Sequence, residues 1–208
     1  MDPEDEIAQL RQQLDQARLD AVTREAELQR YHQQLEAANA QLQELATTDP
    51  LTGLANRRVF DVQLNSVFAH ARRYSRSMAV MMLDVDNFKQ RNDRFGHDEG
   101  DSTLKRLAIL LARGLREADL VVRYGGEEFV LLLPETNEQQ ALMLSNRIQA
   151  MVRGYEWGRE QVTVSGGVAE LQPSIVHPHE LVTRADKALY AAKRAGKDRI
   201  IGWTGIEG

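Results

Sequence analysis

Apolar residues between positions 7 and 45 recur in alternating steps of three and four along the chain. A repeat near 3.5 residues places them on one continuous stripe of an α-helix, which is the pattern of a left-handed coiled coil. The other positions are rich in Gln, Glu and Arg. We therefore predict a coiled coil; the alternative is a single amphipathic helix packed on its own domain. The stripe contains Ile7, Leu10, Leu14, Ala17, Ala21, Leu28, Tyr31, Leu35, Ala38, Leu42 and Leu45.

The predicted helix requires a partner, because a helix extending on the order of 60 Å with an exposed apolar stripe is not stable alone. We expect a homodimer, in either parallel or antiparallel order. The repeat stops at residues 47–50, which separates a dimerisation and signalling helix, 1–46, from a body, 47–208. Thr48 or Asp49 is expected to cap the next helix, with Pro50 in its first turn.

The body alternates short apolar runs with helical patterns. Runs at 78–83, 120–124, 129–133 and 162–168 predict strands, and residues 51–74, 103–115, 136–152 and 179–195 predict helices. Gly125 and Gly126 separate the second and third runs, so we expect a two-residue hairpin, because both glycines can take positive φ without a side-chain clash. Strand, helix, hairpin, helix and strand in this order indicate an α+β fold: a ferredoxin-like βαββαβ palm with its helices on one face of an antiparallel sheet.

Charge is distributed unevenly between the two segments. Residues 1–46 carry 10 acids against 4 bases, a net −6, and the total of 31 acids and 26 bases leaves 21 against 22, a net +1, for the body. A near-neutral body does not favour a nucleic-acid partner. The sequence has no cysteine, and it has neither a secretory signal nor an apolar run of about 18 residues that could span a membrane. We expect a cytoplasmic protein, although the chain could belong to a longer, membrane-anchored one.

Acidic residues follow the most apolar predicted strand and the Gly-Gly turn. Asp84 and Asp86 end the strand, and Glu127 follows the turn. In the predicted sheet the hairpin lies beside the strand end, so Asp84 and Glu127 can converge on one cation. Oxygen ligands suit Mg²⁺ or Mn²⁺, which prepare phosphates for transfer. The alternatives are a turn or cap role for Asp84 and a plain tight hairpin for the glycines.

Several motifs in this order resemble the GGDEF family, the bacterial diguanylate cyclases, in its GGEEF form. The resemblance covers about residues 49–201, and its signature is RYGGEEF at 123–129. Supporting motifs are DPLTGLANRR at 49–58, DVDNFK at 84–89, NDRFGHDEGD at 92–101 and ADKALYAAK at 185–193.

The resemblance implies roles for individual residues. Asp84, the Val85 carbonyl and Glu127 would hold the metal, Glu127 would also accept the 3′-hydroxyl proton, and Glu128 would support the site. Asn92 and Asp101 would recognise guanine, and the backbone of Gly125 and Gly126 would lie close to the substrate. Lys89 would stabilise phosphate charge, helped by Lys193 and Lys197, although both could instead be solvated surface residues.

The implied reaction joins two GTP molecules. Each 3′-hydroxyl would attack the other nucleotide's α-phosphate across a homodimer, which yields cyclic di-GMP and two pyrophosphates. The coiled coil would then raise the effective concentration of the two bodies. The sequence lacks the Gly-x-x-x-x-Gly-Lys-Ser/Thr loop of P-loop GTPases.

Residues 116–119 match the family's RxxD product-inhibition motif. Arg116 and Asp119 would bind the product's guanine, and Arg123 and Arg147 are further candidates by position. The alternative is a solvated charge pair. Two rival functions also remain open: an inactive GTP or cyclic di-GMP receptor, and a related cyclase or polymerase with another product.

Overall fold

The structure is a computed structural model that describes residues 24–25, 29–36 and 47–206. The chain divides into two compact units, residues 1–45 and 46–208. In the first unit, residues 29–36 are helical, and the stripe residues Tyr31 and Leu35 are 68% and 60% exposed. Most of the predicted coiled-coil stripe lies outside the described residues, so the coiled coil and the boundary at residue 46 stay predictions. No helix in the described part of the chain is long and apolar enough to cross a membrane.

The second unit is built on a sheet with the order β1-β3-β4-β2-β5-β6. The four inner strands pair antiparallel, whereas β1 and β6 add to its edges in parallel. This sheet confirms the predicted ferredoxin-like palm. The strands are β1 (Ala55–Asn56), β2 (Met78–Val85), β3 (Leu120–Arg123), β4 (Glu128–Pro134), β5 (Val164–Glu170) and β6 (Ile200–Gly202).

Helices cover both faces of the sheet. On one face Met81 and Leu83 of β2 belong to an apolar core with residues of α3 and α4; on the other, Val80 and Met82 belong to a core with residues of α1 and α5. The expectation of helices on one face was wrong, because β2 is buried along its whole length and needs apolar cover on both sides. The helices are α1 (Arg57–Tyr74), α2 (Phe88–Phe95), α3 (His97–Arg113), α4 (Glu138–Gly154) and α5 (Pro178–Arg194), followed by a 3₁₀ turn (Trp203–Gly205).

The start of the body differs from the prediction. Helix α1 begins at Arg57, where the Asn56 side chain accepts the Val59 N–H at 3.2 Å, so Thr48 and Asp49 do not cap it. Asp49 instead accepts the Thr52 N–H at 2.8 Å in a turn. The turn returns the chain so that Ala55 and Asn56 form β1.

The hairpin between β3 and β4 also differs from the prediction. The hairpin itself is present, since β3 and β4 pair antiparallel. Among the described residues, the glycines with positive φ are Gly53, Gly96, Gly158 and Gly196, so Gly125 and Gly126 do not use the left-handed conformation available to them. The loop comprises residues 124–127, and the Tyr124 N–H donates to the Glu128 carbonyl at 2.8 Å. A longer loop can close without two left-handed residues.

Candidate functional site

Asp84 and Glu127 meet at one end of the sheet, as the sequence predicts. Asp84, the residue before the last in β2, lies opposite Glu128 of β4, and the N–H of the last residue, Val85, donates to the Glu127 carbonyl at 3.3 Å. The Asp84 side chain is only 7% exposed. Burial and then repulsion from Asp84 raise the pKa of Glu127, so the two carboxylates act on each other electrostatically.

The electrostatic environment at this end of the sheet favours the binding of a cation. Burial is the main cause of the raised pKa of Asp84; repulsion from Asp86 adds to it, while the ammonium groups of Lys193 and Lys197 oppose it. Charge from Glu128 contributes further to the raised pKa of Glu127. Acids that repel one another in a partly buried site are stabilised when a positive ion lies among them.

The donor chemistry fits a hard divalent ion. Two carboxylates and the carbonyl of Val85 are oxygen donors of the kind that Mg²⁺ and Mn²⁺ take. No group of three or more His, Cys, Asp or Glu side chains in the described residues is arranged around a metal position. Such a site would be completed by substrate phosphates and water, which is the usual way in which Mg²⁺ is bound at phosphate-transfer sites.

Asp86 has a different environment from Asp84, two residues before it. Its carboxylate accepts the hydroxyls of Thr163 at 2.7 Å and Ser165 at 2.6 Å, and the Asp198 N–H at 3.0 Å. These bonds join β2 to β5 and to the turn after α5. Asp86 therefore organises the backbone beside the site. The spacing of two acids in the sequence gave no sign of this role.

The three predicted lysines take different positions. The Lys193 ammonium lies 2.8 Å from Asp84 Oδ2. Lys197 donates to the Asn87 side-chain oxygen and still acts electrostatically on Asp84. Lys89 is exposed on the first turn of α2. Lys193 and Lys197 thus both act on Asp84, and their roles toward a substrate stay predictions.

Asn92 and Asp101 lie on neighbouring helices, α2 and α3. The Asn92 Oδ1 atom is buried and has no hydrogen-bond partner within the described part of the chain. It lies against Gly100, where a Cβ atom would be 1.8 Å from it. Asp101, the residue after Gly100, is exposed. Gly100 therefore provides the space in which the Asn92 amide sits.

Arg123 connects residues 124–127, the GG loop, to the start of the body. Its Nε and Nη2 atoms donate to the Gly126 carbonyl at 3.1 and 2.7 Å, and Nη1 donates to Asp49. Burial opposes ionisation of Asp49, but hydrogen bonds from Thr52 and Arg123 outweigh it and hold the pKa of Asp49 below its ordinary value. The same loop uses Gly125, where a Cβ atom would lie 2.5 Å from Glu128 Oε2.

Arg116 and Asp119 form a turn before β3. The Arg116 N–H donates to Asp119 Oδ2 at 3.0 Å, and a cavity of about 320 Å³ lies between this turn and α4. Arg147 of α4 lines the same cavity and donates to the Gly114 carbonyl. Arg123 lies at the far end of β3, held by Asp49 and Gly126. Arg123 therefore lies apart from Arg116 and Asp119 within one chain, and its part in product binding stays a prediction.

The chain matches the family described as diguanylate cyclase, GGDEF domain, over residues 46–199. The chain belongs to the GGDEF family. The response regulator PleD of Caulobacter vibrioides is 42% identical to it over 165 residues, which cover 76% of this chain and 36% of PleD. The chain thus spans about a third of the length of this relative.

Solved GGDEF structures have the same fold. The coiled coil and GGDEF domain of DgcB from Caulobacter crescentus, in complex with c-di-GMP, matches at a TM-score of 0.76 with 34% identity, covering 90% of this chain and 98% of that one. The active GGEEF domain of a diguanylate cyclase from Vibrio cholerae matches at 0.70 with 33% identity, covering 72% and 97%. These similarities confirm the family resemblance that the sequence motifs indicate.

Proposed function

We propose that the chain is a diguanylate cyclase that condenses two GTP molecules into cyclic di-GMP and two pyrophosphates. The observation that carries the proposal is the convergence of Asp84 and Glu127 at one sheet end, with Lys193 beside them. Family membership supports the same activity. Because GTP is a cytoplasmic nucleotide, this function assigns the domain to the cytoplasm.

The residues of the site have complementary roles in this reaction. Glu127 accepts the proton of the 3′-hydroxyl, and its raised pKa makes it a stronger base than an ordinary carboxylate. Asp84, Glu127 and the Val85 carbonyl would hold a Mg²⁺ or Mn²⁺ ion, which would offset phosphate charge when bound. Lys89, Lys193 and Lys197 stabilise the triphosphate. Asn92 and Asp101 bind the guanine edge, since an amide and a carboxylate match its donors and acceptors.

The test is incubation of the purified chain with GTP and Mg²⁺, followed by chromatography of the products. Cyclic di-GMP together with pyrophosphate supports the proposal. Absence of turnover with retained GTP or cyclic di-GMP binding would instead identify a receptor. A different nucleotide product would identify another nucleotidyl cyclase or polymerase.

The reaction requires two bodies that face each other, and we propose that the N-terminal helix brings them together as a homodimer. Deleting residues 1–46 is then expected to lower specific activity, most strongly at low protein concentration, because the tethered encounter becomes bimolecular. The measurement is specific activity across a dilution series for both proteins. Parallel dilution curves would argue against this role of the helix.

We also propose that cyclic di-GMP inhibits the enzyme from the cavity beside Arg116, Asp119 and Arg147. Arg116→Ala is expected to raise the inhibition constant of cyclic di-GMP about tenfold or more, because a charged hydrogen bond contributes about 1.5–3 kcal/mol. Initial rates at increasing product concentration measure the effect. Arg113→Ala, at the end of α3, is the matched control and should leave inhibition unchanged. Equal inhibition of all three proteins would exclude this site.

Gly100 is expected to determine GTP affinity through Asn92. In Gly100→Ala the new Cβ would overlap Asn92 Oδ1, so the amide must move, and we expect the KM for GTP to rise about tenfold. Steady-state kinetics measure the change. In an Asn92→Ala background the same glycine substitution should add little, because the overlapping group is gone. Additive effects in the double variant would show that Gly100 acts independently of Asn92.

A further inference from the structure

Helix α5 positions the ammonium group of Lys193 beside the Asp84 carboxylate. The ion pair measures 2.8 Å from Nζ to Oδ2, and the Lys193 side chain is 36% exposed against 7% for Asp84. Lys193 lies in the last turn of α5, which packs directly on Gly167 of β5. Strand β5 in turn pairs with β2, where Ser165 lies opposite Asp84. The packing of α5 on β5 therefore places Lys193 next to Asp84.

Lys193 and Lys197 affect Asp84 in different ways. Lys193 both hydrogen-bonds to Asp84 and attracts it electrostatically, whereas Lys197 acts on Asp84 only through its charge. The hydrogen bond of the Lys197 ammonium goes to the Asn87 side chain. Two ammonium groups thus lie near Asp84. That of Lys193 contacts the carboxylate, and that of Lys197 does not.

We propose that Lys193 is the resident counter-ion of Asp84 and that it leaves this carboxylate when a divalent ion binds, which frees its ammonium for the triphosphate. This inference rests on the metal site of the proposed function. An ammonium 2.8 Å from a carboxylate oxygen and a divalent ion on the same carboxylate repel each other strongly in a partly buried site. Lys193 therefore opposes binding of the metal alone and favours binding of the metal together with nucleotide.

The first test is a titration of the purified full chain with Mn²⁺ alone, at constant ionic strength, with free Mn²⁺ measured by electron paramagnetic resonance. Lys193→Met is expected to bind Mn²⁺ roughly 5- to 10-fold more tightly than the unsubstituted chain, because the competing ion pair is gone. Lys193→Gln should behave in the same way. Lys193→Arg restores a cation at Asp84 and should restore weak Mn²⁺ binding.

Lys197→Met is the matched control. This variant removes one positive charge from the same region but keeps the ion pair between Lys193 and Asp84. Its Mn²⁺ affinity should therefore change less than about twofold. Equal tightening in Lys193→Met and Lys197→Met would show a general charge effect and overturn the proposal. Unchanged or weaker Mn²⁺ binding by both Lys193→Met and Lys193→Gln would overturn it as well. Thermal unfolding of each variant checks that the fold is retained.

The second test is binding of the guanosine α,β-methylene triphosphate complex of Mn²⁺, measured by calorimetry. Lys193→Met is expected to bind this complex several-fold more weakly than the unsubstituted chain while binding Mn²⁺ alone more tightly. Effects of the same sign in the two titrations would contradict the exchange of Lys193 between Asp84 and the phosphates. Neither titration depends on turnover. A chain that makes no cyclic di-GMP but shows the opposite signs would therefore retain this inference and lose only the proposed function.

Discussion

Glu127→Gln is expected to lower the rate of cyclic di-GMP synthesis by about 10²- to 10⁴-fold, the usual contribution of a general base. The amide has nearly the shape of the carboxylate but neither accepts the 3′-hydroxyl proton nor carries the negative charge that the metal needs. The Glu127 carbonyl, which accepts the Val85 N–H, is kept. The loss should therefore appear in turnover and not in folding.

The measurement compares initial rates and thermal unfolding of Glu127→Gln with those of Glu156→Gln. Glu156 is an exposed acid in the loop after α4, so its substitution controls for the loss of one negative charge. We expect the control to retain full activity, and both proteins to unfold near the temperature of the unsubstituted chain. Activity in Glu127→Gln within tenfold of the control would remove Glu127 from the role of base.

The sequence predicted the elements whose apolar pattern is long. The run that became β2 is buried on both faces, and its position could be identified because few polar residues interrupt it. Strand β1 has only two residues and β6 only three, so neither contains enough positions to show a period. Helix α2 was missed because it is short and mostly polar, with Phe88 and Arg91 as its buried residues.

The candidate site, like the fold, can be predicted only in part from the sequence. Asp84 and Glu127 could be paired from the sequence because strand order alone brings them to one end of the sheet. The bond between Arg123 and Asp49 joins residues 74 positions apart in a turn that has no periodic pattern. No pattern in the sequence therefore predicts that bond. Asp84 and Asp86 share the end of one apolar run in the sequence, but the hydroxyl partners of Asp86 lie on and beside β5 and cannot be identified from spacing.

Gly167→Ala is expected to destabilise the body strongly. A Cβ atom at Gly167 would lie 2.1 Å from the Ala185 carbonyl oxygen, 2.3 Å from the Leu189 nitrogen and 2.7 Å from the Ala188 Cβ atom. Two of these atoms belong to the backbone of α5, so no side-chain rotation relieves the overlap. We expect a loss of about 3 kcal/mol or more in the free energy of unfolding.

The same substitution is expected to impair the site, because α5 must move away from β5 and it carries Lys193. Thermal unfolding should show a decrease in Tm of roughly 10 °C, and the activity that remains at low temperature should also fall. Gly154→Ala is the matched control, since a Cβ atom there has no neighbour within 4 Å in the described part of the chain. That variant should be neutral or slightly stabilised, as alanine at a helical glycine usually is. Equal stability of the two variants would mean that α5 can move away from Gly167 at little cost, and the firm placement of Lys193 at Asp84 would then lose its structural basis.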